Sequence, residues 1–163
     1  MVEKIKSLGI LLAIKHKWAE EIFSGKKGYE FRRIPPKYLL KGMKIFLYSS
    51  GPASEISGEF TSGKLIRLKL SDLWKQVGEK ADASYDVLEE YFKGVEICSA
   101  IEVLSPKKYS MPIPIEEIKR IKPDFVPPQS FYYIKERDNL TKLLLPALNS
   151  SSQKFFENYP KNL

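Results

Sequence analysis

The residues best equipped for chemistry lie within ten positions, 24–33, which read Ser-Gly-Lys-Lys-Gly-Tyr-Glu-Phe-Arg-Arg. Lys27, Glu30 and Arg32 form with Gly25 the pattern Gly-x-Lys-x-x-Glu-x-Arg. On a strand, Glu30 and Arg32 project from one face about 7 Å apart, so they either pair with each other or flank one ligand. A guanidinium offers a planar fork to phosphate or a base edge, and a carboxylate accepts from an exocyclic amine. The alternative is a same-face ion pair of small energetic value, with Lys27 in solvent.

The excess positive charge of the chain is concentrated around this stretch. The formal charge is +7, and residues 1–50 hold 11 Lys or Arg against 4 Asp or Glu, whereas the rest of the chain holds 16 against 16. Concentrated cations favour a polyanion such as RNA or DNA, because each neutralised phosphate releases counterions. A lysine-rich solvated surface that aids solubility is the competing interpretation.

Two further pairs of residues fall where strand ends present hydroxyl and amide groups. Ser49 and Ser50 end one predicted strand, and Gln129 and Ser130 begin another. Such groups bind anions or bases, although a plain turn and a strand cap explain them nearly as well. The basic residues that would form a sequence-independent rim for phosphates are Lys15, Lys17, Lys26, Arg33, Lys37, Lys41 and Lys44.

Aromatic side chains offer stacking surfaces for bases, each worth on the order of 1–3 kcal/mol per base. The candidates are Trp18, Tyr29 and Trp74. Helical and strand periods place Trp18 and Tyr29 on core faces, so core packing is favoured for both, and Trp74 is left undecided.

Metal and cofactor chemistry find no support in the sequence. His16, the one histidine, has no second His or Cys to support it and is interpreted as a solvent-facing or capping imidazole. Cys98, the one cysteine, lies in a mostly apolar run, which indicates a buried and inert thiol. We therefore predict neither a metal site nor a cofactor.

A strand, a helix and a second strand must position the motif. The apolar run 8–14 predicts a strand, and apolar residues at helical spacing over 18–23 predict a helix that ends at Gly25. The residues that follow have a period of two, so the aromatics at 29 and 31 face the core while Glu30 and Arg32 face the other side.

The rest of the chain predicts more short strands with helices inserted between some of them. The predicted strands cover residues 43–48, 56–60, 65–70, 98–104 and 130–134. The predicted helices cover residues 71–78, 84–94 and 115–121, and Ser84 is the predicted cap of the second. Pro112 and Pro114 mark a connection. About six strands with such insertions indicate an α+β protein built on a small, strongly bent or closed sheet. Leucines at helical spacing over 136–149 predict a tail helix that docks on the domain, binds a partner or pairs with another copy.

Size and composition indicate one compact domain. A chain of 163 residues with 43% hydrophobic and 12% aromatic content is ordinary for a folded soluble protein. No window approaches the roughly 18 uninterrupted apolar residues of a membrane-spanning helix, and the amino terminus lacks a cleavage pattern. We therefore expect an intracellular, cytoplasmic protein with no membrane partner.

Taken in order, the motif and four later segments resemble the ASCH domain family. The segments are residues 11–33, Ile45-Phe-Leu-Tyr-Ser-Ser-Gly-Pro52, Ile56-Ser-Gly-Glu-Phe60, Glu90-Tyr-Phe-Lys-Gly94 and Pro127-Pro-Gln-Ser-Phe131. The resemblance spans residues 8–134 and implies a fold similar to the PUA domain, a small β-barrel of about six strands with flanking helices. Residues 1–134 would form this domain, and residues 135–163 a C-terminal helical extension.

The resemblance also implies a cleft beside the motif that receives RNA or a nucleotide. The first hypothesis is a nucleic-acid-binding module, with RNA expected and DNA open, which needs no catalytic residue. Lys27, Glu30 and Arg32 would bind the nucleotide together with Arg33, Ser49, Ser50, Gln129 and Ser130, and Lys15, Lys17 and Lys26 would contact phosphates.

Two other classes of function stay open. A hydrolase would use Lys27 to activate a nucleophile and a carboxylate to move protons, either as a ribonuclease or on acetylated cytidine. In the family's acetylcytidine amidohydrolases a threonine nucleophile matches the position of Glu30, so the glutamate disfavours that reaction. The third class is an interaction protein, which would bind a partner or a second copy through the tail helix.

Overall fold

A six-stranded mixed sheet forms the centre of the protein. The computed structural model describes residues 7–144 and 146–148. Within them the elements, in chain order, are β1 (Ser7–Ile14), α1 (His16–Phe23), β2 (Tyr29–Arg32), β3 (Lys44–Ser49), β4 (Glu55–Leu68), α2 (Leu70–Val77), a 3-10 turn (Gly78–Lys80), α3 (Tyr85–Tyr91), β5 (Cys98–Pro114), α4 (Ile115–Ile121) and β6 (Phe131–Lys135). Residues 141–144 and 146–148 are also helical. The predicted α+β class with six strands is confirmed.

The sheet is strongly bent, and its ladder of hydrogen bonds is open. The strands follow the order β2-β5-β4-β3-β1-β6. β1 and β3 are parallel, and the other neighbouring pairs are antiparallel. Register shifts interrupt the β3–β4 and β4–β5 pairs, and such bulges bend a strand and increase its twist. Among the described residues β2 and β6 are the edges, and a side chain rather than a ladder connects the two ends of the sheet.

β4 and β5 are longer than their sequence patterns predict. The strands expected at 56–60 and 65–70 form one strand of 14 residues. A bulge between Ser62 and Leu65 shifts the pairing register with β5, so the strand continues through the residues between the two expected strands. β5 continues through the expected connection to Pro114, for 17 residues. β2 pairs only with residues 99–102 of β5. The prolines near residue 114 therefore lie where β5 has a strand on one side only, a position that tolerates a missing amide hydrogen.

Both faces of the central strands are buried. Alternate residues of β1 and β3 point to opposite sides, which explains why these strands are continuously apolar. α1 covers one face, in a cluster with Ile10, Leu12, Ile45, Leu47, Ile101, Ala19 and Ile22. α2 and α3 cover β2 and the nearby part of β5, in a cluster with Phe31, Leu73, Val77, Leu88, Phe92 and Ala100. α3 begins at its predicted cap, where the amide of Val87 donates to Ser84 Oγ at 3.3 Å.

The C-terminal helical residues pack on the opposite face of the sheet. Leu140, Leu144 and Leu148 are buried in a cluster with Leu11 and Phe46. In the described part of the chain the apolar side of the tail therefore docks on the domain. The division into residues 1–134 and 135–163 stays a prediction, and residues 149–163 lie outside the described part.

The lone cysteine occupies the place that its sequence context indicates. Cys98 is 1% exposed in the cluster under α2 and α3. Burial raises the pKa of its thiol, which disfavours the reactive thiolate. Cys98 is therefore a packing residue.

Across residues 7–144 and 146–148, no helix has the length and apolar character needed to cross a membrane.

Gly58 marks the closest approach of β4 to its neighbours, and this contact can be tested. A Cβ at position 58 would overlap the backbone carbonyl oxygen of Lys107 and the ring of Phe23. Because a carbonyl in a strand cannot move aside, we expect Gly58→Ala to lower the free energy of unfolding by about 1–3 kcal/mol, measured by equilibrium urea unfolding. The control is Lys107→Ala, which removes an exposed side chain, keeps that carbonyl and should change stability by no more than about 0.5 kcal/mol. Unchanged stability in Gly58→Ala would contradict the packing of α1 on β4.

Candidate functional site

A helix end and a tight turn deliver the motif to β2. α1 ends at Phe23, and Gly25 has a φ of +82°, a left-handed conformation that glycine adopts without steric cost. The backbone amide of Lys27 then donates to the carbonyl of Glu21 at 3.1 Å, which folds the turn back onto the helix. The predicted helix stop at Gly25 is confirmed, and Lys27 lies just before β2.

Lys27, Glu30 and Arg32 form one buried ionic cluster. Lys27 Nζ lies 3.1 Å from Glu30 Oε2, and Arg32 Nε lies 3.2 Å from Glu30 Oε1. The side chain of Lys27 is 8% exposed, that of Glu30 7% and that of Arg32 12%. Both carboxylate oxygens therefore face a cation, and the cluster carries a formal charge of +1. The motif allows Glu30 and Arg32 either to pair with each other or to flank a ligand, and in the structure they pair.

Lys27 is held inside the protein rather than in solvent. Its ammonium lies 5.3 Å from the ring centroid of Trp18 and 5.1 Å from that of Phe31. An ammonium over an aromatic face is attracted by the ring quadrupole, more strongly where water is excluded. Two rings and one carboxylate thus replace the hydration shell of this lysine.

Arg32 connects the two ends of the sheet. Its Nη2 donates to the carbonyl of Ala13 on β1 at 2.6 Å, and its Nη1 lies 3.5 Å from Ser130 Oγ, just before β6. Nε faces Glu30. The guanidinium therefore donates hydrogen bonds in two directions and forms an ion pair in a third, an arrangement that a lysine cannot reproduce.

α3 is bound to the outer edge of β2, a contact that no local sequence pattern indicates. Tyr91 Oη donates to the carbonyl of Phe31 at 3.0 Å. Burial raises the pKa of the Tyr91 hydroxyl, with an opposing effect from the charge of Arg32. Arg33 donates to the carbonyls of Tyr91 and Lys93 at 2.7 and 2.9 Å, so it satisfies the end of α3 although the motif suggests a place in the phosphate rim.

The predicted serines and glutamine lie in different surroundings. Ser49 is fully buried, and its hydroxyl is 2.7 Å from that of Ser57. Ser50 donates through its hydroxyl to the carbonyl of Ile14 at 3.3 Å. Gln129 and Ser130 are exposed. Ser50 and Ser130 thus meet the end of β1 near Arg32, whereas Ser49 is turned into the protein.

Most predicted rim lysines are solvent-exposed, but Lys44 is 14% exposed and lies 3.6 Å from Glu59, so it is paired inside the protein. The candidate stacking residues are half-buried. Lys15, Lys17 and Lys26 are exposed in and around α1. Trp18 packs against the cluster under α1. Tyr29 and Trp74 both pack against the cluster under α2 and α3, and the ring of Trp74 meets that of Tyr85 edge-on at 5.7 Å. The core packing expected for Trp18 and Tyr29 agrees with these positions.

A pair of carboxylates adjoins the cluster from the side of α1. Glu21 has a raised pKa, first because it is partly desolvated and then because Asp82 is hydrogen-bonded to it and adds a like charge. The positive charges of Lys17 and Lys27 oppose this rise. The two acids lie 61 positions apart in the sequence, so no local pattern could have indicated the pair.

In residues 7–144 and 146–148, no three His, Cys, Asp or Glu side chains are grouped so as to hold a metal ion. His16 is 47% exposed and lies 3.8 Å from Glu20, as expected for a solvent-facing imidazole.

Comparison with known proteins gives one consistent family. The family model described as ASCH domain matches residues 12–108. An ASCH domain-containing ribonuclease of Zymomonas mobilis is 28% identical over 128 residues, which cover 78% of this chain and 85% of that protein.

Solved structures share the fold. The crystal structure of ASCH from Zymomonas mobilis aligns with a TM-score of 0.76 at 27% identity, covering 84% of this chain and 94% of that one. The N-terminal domain of Staphylothermus marinus McrB aligns with a TM-score of 0.53 at 13% identity over 88% and 94% of the two chains, a likeness of fold alone. The expected α+β, PUA-like fold is confirmed. Since the family model spans more than half of the sequence and the architecture agrees, this chain belongs to the ASCH domain family.

Proposed function

We propose that this chain binds single-stranded RNA at the Lys27–Glu30–Arg32 cluster and cleaves its phosphodiester backbone. The observation that carries the proposal is a buried cluster with one surplus positive charge, which adjoins the exposed hydroxyl of Ser130. RNA as the ligand is supported by the relative from Zymomonas mobilis, whose name describes it as a ribonuclease and which matches over 85% of its length.

The cluster suits the charge that develops during phosphoryl transfer. When the ribose 2′-hydroxyl attacks phosphorus, it releases its proton to water, a bond forms between phosphorus and the 2′ oxygen, and the bond to the 5′ oxygen breaks. During this step negative charge accumulates on the non-bridging oxygens. Cations that are already fixed in place stabilise such a state without having to reorganise. Arg32 would contact the phosphate from the side of Ser130, and Lys27 would add its charge from beneath. The exposed Lys15, Lys17 and Lys26 would hold neighbouring phosphates and form the basic wall of the cleft.

Glu30 would act in this site as a positioning residue. Each of its oxygens is already within 3.2 Å of a cation, so it fixes the two positive groups relative to each other. The leaving oxygen would take its proton from water, because the hydroxyl of Tyr91 already donates its proton to the carbonyl of Phe31. The hydroxyl lies at the edge of the strand that carries Glu30 and Arg32.

A second candidate is an RNA-binding module that performs no cleavage. It is favoured by the same ion pairs, because a carboxylate engaged by two cations is poorly placed to take a proton from a nucleophile. Hydrolysis of acetylated cytidine has less support, since Glu30 stands where that reaction would need a threonine. In the described tail, Leu140, Leu144 and Leu148 face the sheet, and partner binding through those leucines would first have to displace them.

Cleavage of a labelled single-stranded RNA tests the main proposal. We expect Lys27→Gln and Arg32→Gln each to lower the rate by about 100-fold or more, because each removes one fixed cation from the transition state. Ser130→Ala should lower the rate more moderately and leave the melting temperature unchanged, since this residue is exposed.

The charge-matched control is Lys119→Gln, an exposed residue of α4, which should cleave like wild type. Binding without turnover by the wild type would select the second candidate. Absence of both binding and turnover on RNA, or full activity in Lys27→Gln and Arg32→Gln, would refute the proposed site. Parallel assays with single-stranded DNA and acetylated cytidine determine the substrate class.

The positioning role of Glu30 predicts a large effect on stability. Glu30→Gln leaves two buried cations without their counter-charge, so the free energy of unfolding should fall by about 3–5 kcal/mol. Adding Lys27→Met should restore part of the loss, because it removes one of the uncompensated charges. Urea unfolding of wild type, both single variants and the double variant measures this coupling. Glu116→Gln, on the exposed side of α4, is the control, and an equally small effect at Glu30 would contradict the buried cluster.

A further inference from the structure

A second basic surface runs along an open edge of β4. Pairing between β3 and β4 extends only to Lys44 and Thr61, whereas β4 continues to Leu68 against β5. Among the described residues, the β3 side of residues 63–68 therefore has no strand beside it. This edge is the floor of a groove of about 500 Å³, whose lining includes Leu39, Lys41, Lys64, Leu65, Arg67 and Gln76.

The groove is positively charged. Lys41, Lys64 and Arg67 are exposed, and no acidic residue is among those that line it. Within the described chain none of the three takes part in an ion pair. The carboxylate of Glu102 accepts a hydrogen bond from the backbone amide of Lys64 at 2.9 Å, so it is bound at the bulge. Three cations are thus available to an anionic ligand.

The strand register places Arg67, one of the residues that line this groove, on the same face of the sheet as Arg32. Arg32 of β2 is opposite Ser99 of β5, and Ser99 is opposite Arg67 of β4. Residues directly opposite in antiparallel strands project to the same side of the sheet, and two strand spacings separate the backbones of Arg32 and Arg67 by about 10 Å. Leu39, at the other side of the groove, packs on the apolar cluster of that same face.

We infer that the groove binds the sugar-phosphate backbone of nucleotides that flank the one held at the Lys27–Glu30–Arg32 cluster. The inference rests on the proposed RNA-binding function and extends it to a second subsite. Cations placed along a narrow channel neutralise successive phosphates without reading sequence. The half-exposed Leu65 gives the bases an apolar surface beside them. A few nucleotides would span the distance from Arg32 to Arg67.

Charged residues on an open edge also have a simpler role, since they prevent pairing with a strand of another chain. That role requires charge at the edge, and it gives no reason for RNA affinity to depend on the length of the RNA. The subsite, in contrast, is reached only by an oligonucleotide longer than the central site needs. Length dependence therefore separates the two explanations.

The test compares a short and a long oligonucleotide that cannot be cleaved through the 2′-hydroxyl. Binding of 2′-O-methyl oligouridine trimer and dodecamer is measured over a range of salt concentrations for wild type and for the triple variant K41Q/K64Q/R67Q. We expect the triple variant to bind the dodecamer roughly tenfold or more weakly, with a salt slope smaller by about 2, because three phosphate contacts to a single strand are lost. Its affinity for the trimer should equal that of wild type.

The matched control is K119Q/R120Q/K135Q, which removes the same number and types of exposed charge from α4 and β6 and should bind both lengths like wild type. If the groove variant binds the dodecamer with wild-type affinity and salt slope, the subsite is refuted while the proposed function stands. If wild type binds neither oligonucleotide, the proposed function and the subsite both fail. A loss that is equal for trimer and dodecamer overturns the subsite, since it would place the three cations in the central site.

Discussion

The burial of one carboxylate, that of Glu30, sets the arrangement on which the other features of the site depend. Removing ions from water costs several kcal/mol each, and the cost is offset only when every charged oxygen and nitrogen finds a close partner. Glu30 has the ammonium of Lys27 3.1 Å from one oxygen and the guanidinium of Arg32 3.2 Å from the other, so both oxygens face an opposite charge. The same requirement fixes Arg32, whose remaining donors reach the carbonyl of Ala13 and the hydroxyl of Ser130. The ion pairs therefore position the guanidinium that holds β2 against β1.

Side-chain contacts of Arg32 and Tyr91 also hold β2 in its place in the bent sheet. β2 pairs with four residues of β5 and forms no ladder with β1 or β6 in the described chain, so its position depends on side chains. Arg32 secures one side of β2, and the hydroxyl of Tyr91 secures the other through the carbonyl of Phe31. The residues of the proposed site therefore also hold the edge strand of the sheet in place.

Local features of the sequence were sufficient to predict local structure. The left-handed glycine at 25, the alternation that gives Glu30 and Arg32 a common face, and the Ser84 cap all depend on neighbours within four residues. The lengths of β4 and β5 were underestimated because bulges and one-sided pairing decide where a strand ends, and both depend on distant residues. For the same reason the sequence could not indicate that Tyr91 reaches Phe31 or that Arg33 binds the end of α3. Burial of Lys27 was missed because lysine is usually solvated, and only the fold places two rings around it.

The surplus charge of the cluster gives a physical reason to expect an anion there. A structural ion pair needs one cation for one carboxylate, and a second buried cation raises the energy of the empty site unless other groups compensate for it. The carbonyl of Ala13 and the rings around Lys27 compensate in part, because they carry partial negative charge. The carboxylates of Glu21 and Asp82 add negative charge on the side of Lys27. In the proposed function a phosphate would approach from the other side, where Arg32 meets Ser130, and it would find a cation that is already fixed in place.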